Sequence, residues 1–214
     1  MELHLLDLSG NMMKATIFND GVSRFADTLK TGQVYQFSHG KVKFTNKAFT
    51  TRDFELTFDG RAIIQHIPDP MIPTIGIAGM TLVRLNDIAT ISHESKAHIL
   101  AVMVNVGKER HIVTAKGDQR SKRDVHLIDT NQIKVGCTLW SYQASQSLHA
   151  FENKPVLILD ADVRIYNERY SVNVGVSSSV LFDARIPEAM PLSDWMEDLD
   201  VNDIATFAFV HQDD

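Results

Sequence analysis

Two stretches decide the fold: LHLLDLSGNMMKATIF, from Leu3 to Phe18, and VHLIDTNQIKVGCTLW, from Val125 to Trp140. Laid together without a gap they match at an offset of 122, pairing His4 with His126, Leu5 with Leu127, Asp7 with Asp129, Thr16 with Thr138 and Phe18 with Trp140. Each reads as strand, turn and strand, and each closes on a large aromatic followed by polar residues. The register continues beyond them. Val22, Phe25, Ala26 and Leu29 fall at helical spacing, as do Ala144, Leu148 and Phe151. A turn follows in both (Thr31-Gly32; Asn153-Lys154-Pro155), and a β-rich run begins at Val34 or Val156. One structural unit is written twice.

Each unit continues in paired strands, VYQFSHGKVKFTNKAFTTRDFELTF in the first and PVLILDADVRIYNERYSVNVGV in the second, with breaks at Ser38-His39-Gly40, near Asn46 and at Asn167-Glu168. Strand, strand, helix, strand, strand is most of an OB-fold, a five-stranded Greek-key barrel. For the second copy the opening strand is present in AHILAVMVNVGKERHIVTAK, Ala97 to Lys116. Only Met1, Glu2 and Leu3 precede His4, so the first barrel is expected to be incomplete. The fold class is therefore all-β: a tandem OB-fold, each barrel with a capping helix. The expected domains are 1–60 for the incomplete barrel, 61–80 for a linker rich in Pro68, Pro70 and Pro73, 81–192 for the complete barrel and 193–214 for an acidic tail.

Composition narrows the function. Of 214 residues, 44% are hydrophobic, as in an ordinary globular chain. Cys137 is the only cysteine, which rules out an internal disulfide and zinc sites built on CxxC pairs. No signal peptide is visible, and no apolar run approaches the roughly 18 residues of a membrane helix. The net charge of -6 argues against a uniformly basic nucleic-acid binder but does not say where charge lies. The histidines are scattered without metal-ligand spacing, no phosphate-binding glycine loop occurs, and Cys137 has no base beside it. Neither an enzyme nor a cofactor or metal site is expected.

The aromatics carry more. Phe18 and Trp140 end equivalent strands, and Phe49 and Tyr166 occupy the hairpins that follow. Core packing is the ordinary role of such rings, but here cations stand close to them. Lys14 precedes Phe18 on the same strand face; Lys43, Lys47 and Arg52 surround Phe49; Arg164 and Arg169 flank Tyr166. KGDQRSKR adds Lys116, Arg120, Lys122 and Arg123, a run that is otherwise a solvated charge cluster. Rings flanked by cations suit single-stranded nucleic acid, because bases stack while Lys and Arg follow the phosphates.

VYQFSHGKVKFTNKAFTTRDFELTF, LIDTNQIKVGCTLW and RIPEAMPLSDW together resemble the large subunit of replication protein A, the eukaryotic single-strand DNA-binding complex. The patterns KxxNKxF and DTxxxxVxxTLW carry the resemblance, which runs through the two central DNA-binding OB-folds. It implies stacking positions at Phe18 and Phe49 in the first barrel and at Trp140 and Tyr166 in the second. It implies basic contacts at Lys14, Lys43 and Lys122, with Arg123 beside the last, and a carboxylate near the groove at Glu55. It further implies a nuclear protein acting in DNA replication, repair or recombination, with single-stranded DNA and either the smaller replication protein A subunits or repair proteins as partners, and no membrane. The family's large subunit also carries an amino-terminal interaction barrel and a carboxy-terminal zinc barrel, neither of which is in this sequence. The competing expectation is an OB-fold protein-interaction adaptor with weak or no DNA affinity; a telomeric binder is a more distant one.

Overall fold

In the amino-terminal half, strand β1 (Glu2–Leu6) runs antiparallel to β2 (Met12–Ile17), so that His4 faces Lys14. The period of two turns Ala15 and Ile17 inward and leaves Lys14 and Thr16 on the outer face. Helix α1 (Asp20–Phe25) starts immediately after, and its Gly21 is a close-approach site: a Cβ there would stand 2.7 Å from Ile17 Cγ2. Strands β3 (Tyr35–Ser38), β4 (Lys41–Phe44), β5 (Phe54–Phe58) and β6 (Ile63–His66) follow. They form a four-stranded sheet in the order β1-β2-β5-β4, with β2 and β5 parallel, and a separate β3-β6 pair. Ala15, Ile17, Phe25, Phe58 and Ala62 make its small core.

This computed structural model describes residues 1–7, 12–30, 33–45, 54–68, 81–113, 117–175 and 177–211. The chain divides into two units, Met1–Met80 and Thr81–Asp214. The stretch expected to open the linker at residue 61 instead supplies β6, whose Ile64 faces Phe37. Most of the proline-rich remainder lies outside the described residues.

The second unit closes. Its strands are β7 (Lys96–Val104), β8 (Arg110–Val113), β9 (Gln119–Ile128), β10 (Ile133–Trp140), β11 (Lys154–Tyr166), β12 (Arg169–Val174) and β13 (Ser179–Phe182). β7 pairs with β9, β9 with β10, β10 in parallel with β12, β12 with β11, and β11 back with β7. This ring is the five-stranded barrel expected of the repeat, and its parallel β10–β12 pair repeats the β2–β5 pair of the first unit. Met103, Leu127, Val135, Cys137, Leu139, Ile158, Val163 and Val172 fill the interior. The stretch expected as one long opening strand is two. The chain leaves β7 at Asn105, in a left-handed conformation (φ 52°), and β8 folds back along β9.

Two further expectations are corrected. The helical spacing of Ala144, Leu148 and Phe151 is realised as turns and a single 3-10 helix, Leu148–Phe151. The backbone leaves the helical region at Ser147 (φ −75°, ψ 66°), between Ala144 and Leu148. The presumed acidic tail is folded against the barrel. Helix α2 (Met190–Asp198), a 3-10 turn at Asp203–Thr206 and strand β14 (Ala208–Phe209) place Leu192, Ile204 and Phe207 against Val102, Val104 and Ile128. That covering explains why β7 reads ILAVMV rather than alternating, since it is buried on both faces.

Strand β14 runs parallel to the start of β10, and Val210 bridges onward: its N–H donates to Lys134 O at 3.3 Å while its carbonyl accepts from Tyr170 N at 3.1 Å. The segment thus fills the space between β10 and β12 below the point where those strands meet. Replacing Phe207 by Ala is expected to cost the second unit about 3–5 kcal/mol in urea unfolding. A cost within about 0.5 kcal/mol, the usual range for a surface change, would show that the segment is not part of the barrel's stability.

Candidate nucleic-acid interface

On β9 and β10 the inward set is Val125, Leu127, Val135, Cys137 and Leu139, which leaves Lys122, Asp124, His126, Gly136, Thr138 and Trp140 facing out. The antiparallel register sets Trp140 opposite Lys122 and Thr138 opposite Asp124; the parallel register adds Asn173 beside Thr138. Trp140 is half-buried, and its indole Nε1 donates to Asn173 Oδ1 at 3.1 Å, which fixes the ring by its edge. Lys122 Nζ stands 5.8 Å from the ring centroid, within cation–π reach. The result is an oriented aromatic with a cation beside it, on an outer barrel face.

Asp124 organises the neighbouring charge. It pairs with Lys122 at 3.2 Å and with Arg110, and accepts from Thr138 Oγ1 at 2.9 Å. Burial pushes its carboxyl pKa up, but the hydrogen bonds from Thr138 and Lys122 and the charges of Lys122 and Arg110 outweigh that and hold it below the ordinary value. Farther across the face, Arg164 on β11 pairs with Glu94 at 3.5 Å, and Tyr166 stands 74% exposed at the β11–β12 turn. At the lower end of the same face, Phe209 lies between Lys134 Nζ and Arg169 Cζ, each 5.0 Å from its centroid, with the His126 ring against it at 5.3 Å.

The outer face of the first unit also sets an exposed aromatic near paired cations. Phe18 follows the end of β2 and is 48% exposed. Lys14 pairs with Glu2 at 2.8 Å, and Lys43 with Glu55 at 3.2 Å. Phe49, with Lys47 and Arg52, lies outside the described residues, as does Lys116.

Of the residues singled out in the sequence, Lys122 and Trp140 are in direct juxtaposition, whereas Arg164 and Tyr166 both lie on β11, separated from β10 by β12. Arg123 does not join them. It points inward, 8% exposed, because consecutive strand residues take opposite faces. Two surface groups were missed: Tyr142, 76% exposed two residues beyond Trp140, and Arg110, brought opposite Lys122 by the β8–β9 hairpin. Tyr142 was visible as an aromatic beside the strand end, whereas only the hairpin register reveals Arg110. Cys137 is buried, and burial pushes its thiol pKa far up, so it is held neutral. Among the described residues no cluster of three histidine, cysteine or acidic groups is arranged to hold a metal ion, and no helix is long and apolar enough to cross a membrane.

A closed five-stranded ring with one parallel pair, carrying an aromatic at a strand end, is an OB-fold barrel. Comparison with known proteins agrees. Residues 85–183 match the family of the replication protein A OB domain. The chain is 30% identical over 199 residues to the replication protein A 70 kDa DNA-binding subunit of Xenopus laevis, covering 91% of this chain and 32% of that protein. It is 29% identical over 205 residues to replication factor A protein 1 of Schizosaccharomyces pombe, with the same shares covered. A solved replication protein A heterotrimer bound to single-stranded DNA superimposes with a TM-score of 0.74 at 26% identity, over 97% of this chain and 48% of that one. The chain is similar to the replication protein A large subunit, and it spans about a third of the length of the relatives it matches.

His126 provides a local test of this face. Burial and the charge of Lys134 lower its pKa, with Asp124 opposing. The unfolded chain therefore takes up the proton first as pH falls, so stability is fully present above the ordinary histidine value near 6.5 and declines as pH drops through the lowered folded value. An imidazole NMR titration is expected to place His126 below 6.5, and His126→Asn is expected to flatten that part of the stability–pH curve. A titration at or above 6.5 contradicts the packing described.

Proposed function

We propose that this protein binds single-stranded DNA as a replication protein A-like module, by base stacking and phosphate contacts and without catalysis. The observation that carries the proposal is Trp140, held by Asn173 at a strand end beside Lys122 on the outer face of a closed OB barrel. Such a ring accepts any base, because every base offers a π face. In the free protein the cations are paired with Asp124, Glu94, Glu2 and Glu55. Exposed pairs of this kind are worth about 0–1 kcal/mol, so phosphates can take the cations over at small cost. Lys14, Phe18, Lys43, Phe49 and Glu55 would serve the first unit, and Lys122, Trp140, Arg164 and Tyr166 the second.

The biological setting follows from the relatives. Replication protein A is a DNA replication factor and assembles as a heterotrimer, so the proposal includes a nuclear protein acting in replication, with smaller replication protein A subunits as partners. Roles in repair and recombination would draw on the same coating of exposed strands. A second reading has one observation in its favour. Val42 (68% exposed), Phe44 (77%) and Phe54 (42%) present apolar surface on β4 and β5 of the first unit, as a protein-interaction adaptor would.

Titration of a fluorescently labelled oligothymidine, followed by anisotropy at several salt concentrations, separates the two. Trp140→Ala is expected to weaken binding by about 1–3 kcal/mol with little dependence on the base. Thermal melting of the same variant shows whether the folded fraction is preserved. Loss of stability with unchanged affinity in the folded fraction would make Trp140 a packing residue and favour the adaptor. Lys122→Ala and Arg164→Ala are each expected to lower the slope of log affinity against log salt by about 0.7; unchanged slopes would place both on a merely solvated face.

A further inference from the structure

Among the described residues of the basic run Arg123 alone is buried, and its Nε is unsatisfied there. Its Nη2 approaches Glu109 Oε2 only to 3.7 Å, beyond hydrogen-bond length, and its Nε has no hydrogen-bond partner among the described residues. A guanidinium offers five donors and is always charged, so burying it with a single long contact is costly unless something completes its shell.

The side chain lines a cavity of about 550 Å³, within the range of small-molecule sites. The cavity lies between the end of the β7–β8 connection, at Gly107 to Glu109, and the turns after Trp140, with Ser145 and Ser147 in its wall. Two permanent cations, Arg123 and Lys108, and His149 line it against one carboxylate, Glu109. That carboxylate is already engaged, accepting from Ser145 Oγ at 2.9 Å. The neighbouring Glu152 is engaged as well, by the Val106 N–H at 2.9 Å and by His149 Nδ1 at 3.5 Å. Among the charged and hydroxyl groups of the lining, those left without a carboxylate hydrogen bond are Arg123, Lys108 and the Ser147 hydroxyl.

We propose that this cavity is an oxyanion site that takes a phosphate group, with Arg123 at its floor and Lys108 and Ser147 at its wall. A phosphate presents acceptor oxygens only, and a guanidinium meets two of them at once. The site is distinct from the stacking face, since Arg123 points away from Lys122 and Trp140. The phosphate has two sources, the free ion or a phosphate of a bound strand, and only the second rests on the DNA-binding reading above.

The test follows the Arg123 Nε–H resonance of the full chain while sodium phosphate replaces sodium chloride at constant ionic strength. A saturable shift is expected, spreading to residues 107–109 and 145–149 and weakened several-fold in Lys108→Ala and in Ser147→Ala. Both variants sit on the cavity wall and stay informative if Arg123→Gln does not fold. A second arm adds saturating oligothymidine. If it moves the Nε–H signal and abolishes the phosphate titration, a strand phosphate occupies the site; if it quenches Trp140 but leaves the phosphate titration intact, the site takes the free ion. A phosphate shift without any oligonucleotide binding would leave the site standing and remove the DNA-binding reading. Only a linear, non-saturating response, equal in the wild type and both wall variants, with oligothymidine still quenching Trp140 and not moving Nε–H, overturns the site while leaving that reading in place.

Discussion

The parallel contact between β10 and β12 is the constraint on which the second unit depends. Strands from distant parts of the chain meet there, and the meeting closes the ring that would otherwise have two open edges. Closure gives every strand an inside and an outside, so the apolar set is committed to the interior and the polar set to one continuous outer face. The same contact brings Asn173 beside Thr138 and within reach of the Trp140 indole. Without it Trp140 would be an exposed ring free to turn; with it the ring has one orientation.

The residues that hold the barrel together and those of the proposed interface lie on different surfaces. The barrel's interior is apolar almost throughout, and the outer side of β7 is sealed by the carboxy-terminal segment through Leu192, Ile204 and Phe207. The outer face of β9, β10 and β12 carries almost none of that burden. Its ion pairs are of the exposed kind worth about 0–1 kcal/mol, which is a poor way to hold a fold together but fits the proposal that phosphates take the cations over. The first unit shows the same division on a smaller scale, with a core of Ala15, Ile17, Phe25, Phe58 and Ala62 beneath a face of matched charges.

The repeat, the all-β class and the aromatic at the end of each third strand were legible in the sequence. They are local properties: a period of two, a turn residue and a ring at a strand end are written in consecutive residues. The inward face of Arg123 was also written there, since it shares parity with Val125 and Leu127, although the run KGDQRSKR suggests a uniform basic surface. Helical spacing at Ala144, Leu148 and Phe151 was equally visible and misleading, because the backbone at Ser147 leaves the helical region between the first two.

Only the tertiary structure decided the rest. The segment after residue 192 is acidic and looks like a solvated tail, yet it folds because β7 presents a second apolar face that needs a cover. Arg110 reaches the outer face through a hairpin register, and Trp140 is oriented by a residue 33 positions away. The cavity at Arg123 is assembled from two connections that share no local pattern. Local periodicity determines which side of a strand a residue takes. Which strands become neighbours, and so which side chains meet, is settled by burying the most apolar surface across the whole unit, and no short stretch of sequence contains that information.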